Sequence, residues 1–179
     1  MGLEAKLTPR TCSYGFIKTY RFKDGGTKLE LVHSTPCENI PGAFAEFKGR
    51  LMAGVGTILR VYDLGQKKLL RKQENKNLTS PIVSIKTGDQ FGRIFVADIS
   101  ESVHVLKYKP DDNQLYIFAD DVLKRYTNAF CLLDEDTVCG VDKFENLYVV
   151  RVPAGIEEDA EDDPTANKFK WESGMLNGA

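Results

Sequence analysis

No run of about eighteen apolar residues occurs in this 179-residue sequence, so no segment reads as a membrane-crossing helix. A charged-then-apolar leader is also missing from its start, and the expectation is a chain without a secretion route. Cysteine is sparse: Cys12, Cys37, Cys131 and Cys139 form no CxxC pair, and His33 and His104 lie far from the last two. That is not a zinc spacing, and the thiols read as free, mostly buried groups of a reducing compartment. There is no basic excess either, since the formal net charge is −2. A chain that grips a phosphate backbone usually carries one, so direct nucleic-acid binding is disfavoured.

Catalytic patterns are equally thin. Two histidines do not assemble a Ser-His-Asp set. The carboxylate pairs Asp120-Asp121, Asp134/Asp136 and Asp98/Glu101 fall at strand ends or turns, where aspartate serves local hydrogen bonding. No EF-hand spacing surrounds them. The stretch GVGTILRVYDL begins with Gly54-x-Gly56, but a dinucleotide loop needs a third glycine at 59, where Leu59 stands, and then a helix. A strand-like run follows instead, so the glycines read as a tight turn. The sequence therefore names no catalytic, cofactor-binding or metal residue, and it implies no enzyme, cofactor or small-molecule substrate.

What is present is β pattern throughout: short runs that alternate apolar and polar, punctuated by turn residues. GFIKTYRF (15–22) and TKLELVH (27–33) flank Asp24-Gly25-Gly26 as a hairpin. Four strands follow between residues 43 and 73, four between 81 and 120, and a further set between 128 and 152. The sets align as RLMAGV, RIFVAD and TVCGVD, and then as ILRVYDL, VHVLKYK and LYVVRVP. Arg50 to Arg93 is 43 residues, and Asp98 to Asp142 is 44. Four antiparallel strands at that period define a WD40-like propeller blade. The fold class is all-β, a partial β-propeller with a short C-terminal helix. Tyr62, Tyr108 and Tyr148 recur on the third strands, with Val61, Val105 and Val149, as a core or blade-to-blade stripe.

The expected organisation is an incomplete propeller of about three to four blades over 1–153, an acidic mobile loop over 154–164, and a short helix or tail over 165–179. The stretch 156–163 carries the acidic residues and is a candidate electrostatic contact or a solubilising insertion. Asp163 or Thr165 offers an N-cap, Gly174 a stop, and Phe169 with Met175 or Trp171 with Leu176 the apolar contacts. The basic knot KKLLRK holds Lys67, Lys68, Arg71 and Lys72, with Lys76 beyond. It reads as an outer strand facing water, because the aromatic interleaving of a single-strand binder is missing.

Several strings carry a resemblance over nearly the whole chain. RVYDLGQKKLLRK, NQLYIFADD, LLDEDTVCGVDKFENLYVVRVP and EDDPTANKFKWESGMLNGA are similar to the large multi-propeller subunits of the splicing factor 3b complex. The wider family includes the damaged-DNA-binding adaptor of cullin ubiquitin ligases and the largest subunit of the cleavage and polyadenylation specificity factor. The resemblance implies a fragment of the last propeller of a long nuclear chain. It implies a non-enzymatic scaffold role in the ribonucleoprotein particle that recognises the branch site during pre-mRNA splicing. Implied partners are the HEAT-repeat subunit, the small subunits of the same complex, and the remaining blades of the parent chain, with RNA met at most indirectly. A cullin-ligase or polyadenylation adaptor is the alternative of the same fold, and a direct nucleic-acid binder the second. The resemblance carries no partner-binding residue onto this sequence. An isolated piece with unpaired faces is expected to associate through them.

Overall fold

Residues 2–7, 10–88, 92–121, 123–153 and 172–177 are described by the computed structural model, and all but one of their regular elements are strands. The exception is a 3-10 turn at Asp24–Gly26, where Gly25 and Gly26 take positive φ. It joins β2 (Arg10–Lys23) to β3 (Lys28–Cys37), and β1 (Gly2–Leu7) completes a three-stranded sheet. Three antiparallel meanders of four strands follow. The first is β4 (Pro41–Phe47), β5 (Arg50–Val55), β6 (Ile58–Asp63) and β7 (Leu70–Asn75). The second is β8 (Ile82–Thr87), β9 (Arg93–Asp98), β10 (Val103–Lys109) and β11 (Gln114–Asp120). The third is β12 (Thr127–Leu132), β13 (Thr137–Asp142), β14 (Asn146–Arg151) and β15 (Glu172–Asn177).

The middle strands are near-continuous apolar runs because both faces of the blades are covered. Successive side chains of a strand point to opposite faces. On β9, Ile94 and Val96 join a core with Met52, Leu59 and Val61 of the first blade. Their neighbours Phe95 and Ala97 join a second core with Phe130, Val138, Tyr148 and Val150 of the third. A third cluster sets Ile17 and Cys37 of the first sheet against Ala53, Val55 and Tyr62. The repeat seen in the sequence is thus a stack of sheets that bury each other's faces.

One element departs from expectation. Glu172–Asn177 is a strand where a helix was expected over 165–179. Its backbone pairs with β14 from Asn146↔Asn177 to Arg151↔Glu172. Cap and stop residues are local signals, whereas the open edge of β14 offers a row of backbone donors and acceptors, and pairing satisfies them. The third blade thereby takes its fourth strand from beyond residue 153. The rest of that expected helix and the acidic stretch 154–164 lie outside the described residues. A smaller shift occurs at β7, which begins at Leu70, so Lys67 and Lys68 stand in the preceding loop.

Close approach of the blades depends on small residues. A Cβ added at Gly42 would collide with the Ile82 backbone carbonyl oxygen, and one at Gly54 would meet the Ile82 side chain 2.6 Å away. A backbone obstacle cannot rotate aside. Gly42→Ala is expected to destabilise the chain by about 1–3 kcal/mol, read by urea unfolding. Wild-type stability in that variant would show that the two blades are not held at this distance.

Candidate interaction surface

The turns between second and third strands decide one end of the blades. In the first blade the turn is tight: Gly56 has φ 60, its N–H donates to the Ile40 carbonyl at 2.9 Å, and its carbonyl accepts from Ile82 N–H at 2.9 Å. The Gly54-x-Gly56 motif is therefore a structural joint between blades. The equivalent turns of the other two blades are longer and organised by aspartate. Asp142 Oδ1 accepts from the N–H groups of Phe144 at 2.8 Å and Asn146 at 2.9 Å, and Oδ2 takes the Asn146 side-chain amide at 2.8 Å.

Asp98 is fully buried. Its Oδ1 accepts backbone N–H bonds from Ser100 at 3.2 Å, Glu101 at 2.7 Å and Ser102 at 3.1 Å, while Oδ2 lies 3.0 Å from His104 Nε2. Burial alone raises this carboxyl, but the His104 bond and the backbone donors outweigh it and hold the group below the usual aspartate range. An ionised carboxylate only accepts, so His104 Nε2 carries the proton of this bond. His104 Nε2 is thus satisfied, while Nδ1 is buried with no hydrogen-bond partner.

Other carboxylate pairs are likewise built into the fold. Asp134 Oδ1 accepts from Asp136 N–H at 2.8 Å, and Asp136 pairs with Arg93 of the preceding blade. Asp121 pairs with buried Arg125, whose guanidinium lies 4.6 Å from the Tyr148 ring centre. The Tyr148 hydroxyl is 2.7 Å from Thr127 Oγ1. On the other side of the stack, Arg60 binds Glu38 at 2.6 Å, Glu74 at 3.2 Å and the Tyr62 hydroxyl at 3.4 Å. That arginine lowers the Glu38 carboxyl. The recurring tyrosines therefore fill seams: Tyr62 and Tyr148 are buried, and Tyr108 stacks edge-on against Phe47. Among the described residues no group of three or more His, Cys, Asp or Glu is placed to hold a metal ion. Arg60 and Arg125 organise two seams: Arg60 joins Glu38 to its cross-strand neighbour Glu74, and Arg125 joins Asp121, four residues before it, to the Tyr148 ring.

The thiols differ from expectation in one respect. Cys37 is buried, but Cys131 is exposed opposite half-buried Cys139 on the neighbouring strand, and all four cysteines are free. Apolar side chains also stay uncovered at both ends of the stack, among them Phe22, Leu29 and Leu31 on the first sheet and Val141 and Phe144 on the third blade.

The basic knot lies on and before β7, the outermost strand of the first blade. Leu69 is buried and its N–H donates to Thr35 Oγ1 at 2.8 Å, which pins the loop. Glu74 pairs with Arg71 at 3.1 Å and Lys76 at 2.9 Å, so part of the positive charge is already matched. Lys67, Lys68 and Lys72 point to solvent. Replacing those three with glutamine is expected to leave RNA binding by the chain at the same negligible level. A steep fall of binding with salt in the wild type, lost in the variant, would contradict this.

A cleft of about 470 Å³ opens where the β9–β10 turn meets the connection 76–81 and residues 121 and 123–124. Asn77, Glu101, His104, Asp120 and Lys124 are among the groups lining it. Burial raises the Asp120 carboxyl, His104 lowers it in part, and Asp121 pushes it up again.

Serial four-stranded meanders packed face to face make this chain a partial β-propeller. The profile of the CPSF A subunit region family matches residues 3–177, and the chain belongs to that family. It is 53% identical over 165 residues to spliceosome-associated protein 130 A of Arabidopsis thaliana, covering 92% of this chain and 13% of that protein. It is 49% identical over 173 residues to splicing factor 3B subunit 3 of Danio rerio, covering 97% and 14%. It is 42% identical over 177 residues to pre-mRNA-splicing factor RSE1 of Mycosarcoma maydis, covering 99% and 14%. The chain thus spans 13–14% of the length of these relatives.

Proposed function

We propose that this chain is a non-enzymatic scaffold piece of a splicing factor 3b complex, acting in the nucleus during pre-mRNA splicing. The observation that carries the reading is similarity at 49% identity over 97% of the chain to a protein named splicing factor 3B subunit 3. The physical arrangement supports it. Buried carboxylates and arginines are used between strands and blades, which suits rigid presentation of surfaces. Its partners are the HEAT-repeat and small subunits of that complex together with the remaining blades of the parent chain. Contact with RNA is indirect, which accords with the net charge of −2 and the partly matched charge around β7. The test is depletion of the full-length parent from a splicing-competent nuclear extract. Splicing of a reporter transcript is expected to stop before the first cleavage and to return on adding back the parent. Undiminished splicing in the depleted extract would refute the proposal.

A further inference from the structure

The cleft beside the β9–β10 turn is lined mainly by hydrogen-bond acceptors. Glu101 and Asp120 bring carboxylates to it, Asp121 is already matched by buried Arg125, and Lys124 is the one ammonium among the described lining residues. Lys124 pairs with Glu101 at 3.2 Å and its side chain is 65% exposed, so it is easily displaced. Beneath them stand Ser102, 3% exposed, and His104, whose side chain is 10% exposed. Ser102 Oγ and His104 Nδ1 are both buried without a hydrogen-bond partner. The Ser102 hydroxyl oxygen can accept a bond as well as donate one. A buried polar atom without a partner is costly, and a donor-rich group entering above Ser102 relieves that cost. Ile117 and exposed Leu123 supply an apolar wall on the same cleft.

We propose that this cleft docks a cationic side chain, an arginine or a lysine, from a basic segment of a partner protein. The inference rests on the scaffold reading and names the chemistry of one of its contacts. The methylene stem lies along Ile117 and Leu123, and the charged head meets Glu101 and Asp120 in place of Lys124. An acidic peptide or an RNA strand would bring like charge to these carboxylates. A metal ion lacks the three converging ligands among the described residues.

The test uses the full-length parent with the photo-crosslinker p-benzoylphenylalanine in place of Leu123. Labelled octa-arginine is expected to attach to the peptide that contains position 123, with octa-lysine showing which cation is preferred. Octa-glutamate and a labelled single-stranded RNA are expected to leave that peptide unmarked. The pair Glu101→Gln/Asp120→Asn is expected to cut the octa-arginine yield roughly tenfold, the loss of about one charge-assisted bond. Lys124→Ala, a surface change that spares the fold, is expected to raise the yield about two- to threefold by removing a weak competing ion pair. Equal labelling by octa-arginine and octa-glutamate, preferential labelling by RNA, or yields unmoved by both variants would overturn the inference. Co-purification of the parent with splicing subunits is read separately, so failure of the cleft is distinguishable from failure of the scaffold reading.

Discussion

Phe95→Ala is expected to destabilise the chain by about 3–5 kcal/mol, as measured by urea unfolding followed by circular dichroism. Phe95 is fully buried on β9 and belongs to the core shared by the second and third blades. Truncation removes apolar contact and leaves a cavity between two sheets that the surrounding buried side chains hold apart, so collapse is limited. Phe95→Leu keeps most of the volume and is expected to cost less than half as much. The contrast matters because β9 serves two seams at once: Ile94 and Val96 face the first blade from the same strand. A loss below about 1 kcal/mol for Phe95→Ala would mean that the blades do not bury each other's faces as described.

Asp98→Ala is expected to cost a similar amount, about 3–5 kcal/mol, because it strips a buried group from its partners. Three backbone N–H groups and His104 Nε2 lose their acceptor. Asp98→Asn keeps one oxygen for the turn and loses the charge, and about 1–3 kcal/mol is expected. The pH dependence follows from the lowered carboxyl of Asp98. A group whose folded pKa lies below its unfolded value gives stability that is full above the unfolded value and is lost as pH falls through the folded one. Wild-type stability is therefore expected to drop as pH falls from about 5 through the ordinary aspartate value near 4 and below. The drop is shallower in Asp98→Ala, though Glu38, Glu74 and Asp142, also lowered, keep some of it. Asp120 is raised and works in the opposite direction. An unchanged pH slope in Asp98→Ala would remove the ionised carboxylate from the account.

The blades were legible because a propeller writes the same strand pattern repeatedly. RIFVAD and TVCGVD end in Asp98 and Asp142, and both aspartates organise the turn after a second strand. RLMAGV ends in Val55 instead, and there the turn is shorter and relies on Gly56. The C-terminal strand was not legible. Its sequence carries helix punctuation, and only the unpaired edge of β14, met about twenty residues earlier, selects the strand. The cleft was half legible. Asp98, Glu101, Asp120 and Asp121 could be singled out from the sequence as separate strand-end or turn residues, and His104 as a residue of a third strand. Their convergence depends on β10 and β11 placing His104 opposite Asp120. Arg60 and Arg125 were not singled out, although Asp121 lies four residues before Arg125 and Glu74 faces Arg60 across adjacent strands; what the sequence hides is their burial in the seams.

The most direct test of the central claim is affinity purification of the full-length parent from nuclear extract, with identification of both co-purifying proteins and RNA. Recovery of splicing factor 3b subunits together with the branch-site small nuclear RNA is the predicted result. Recovery of cullin-ligase or polyadenylation components, without spliceosomal RNA, would contradict the splicing role and leave only the propeller fold.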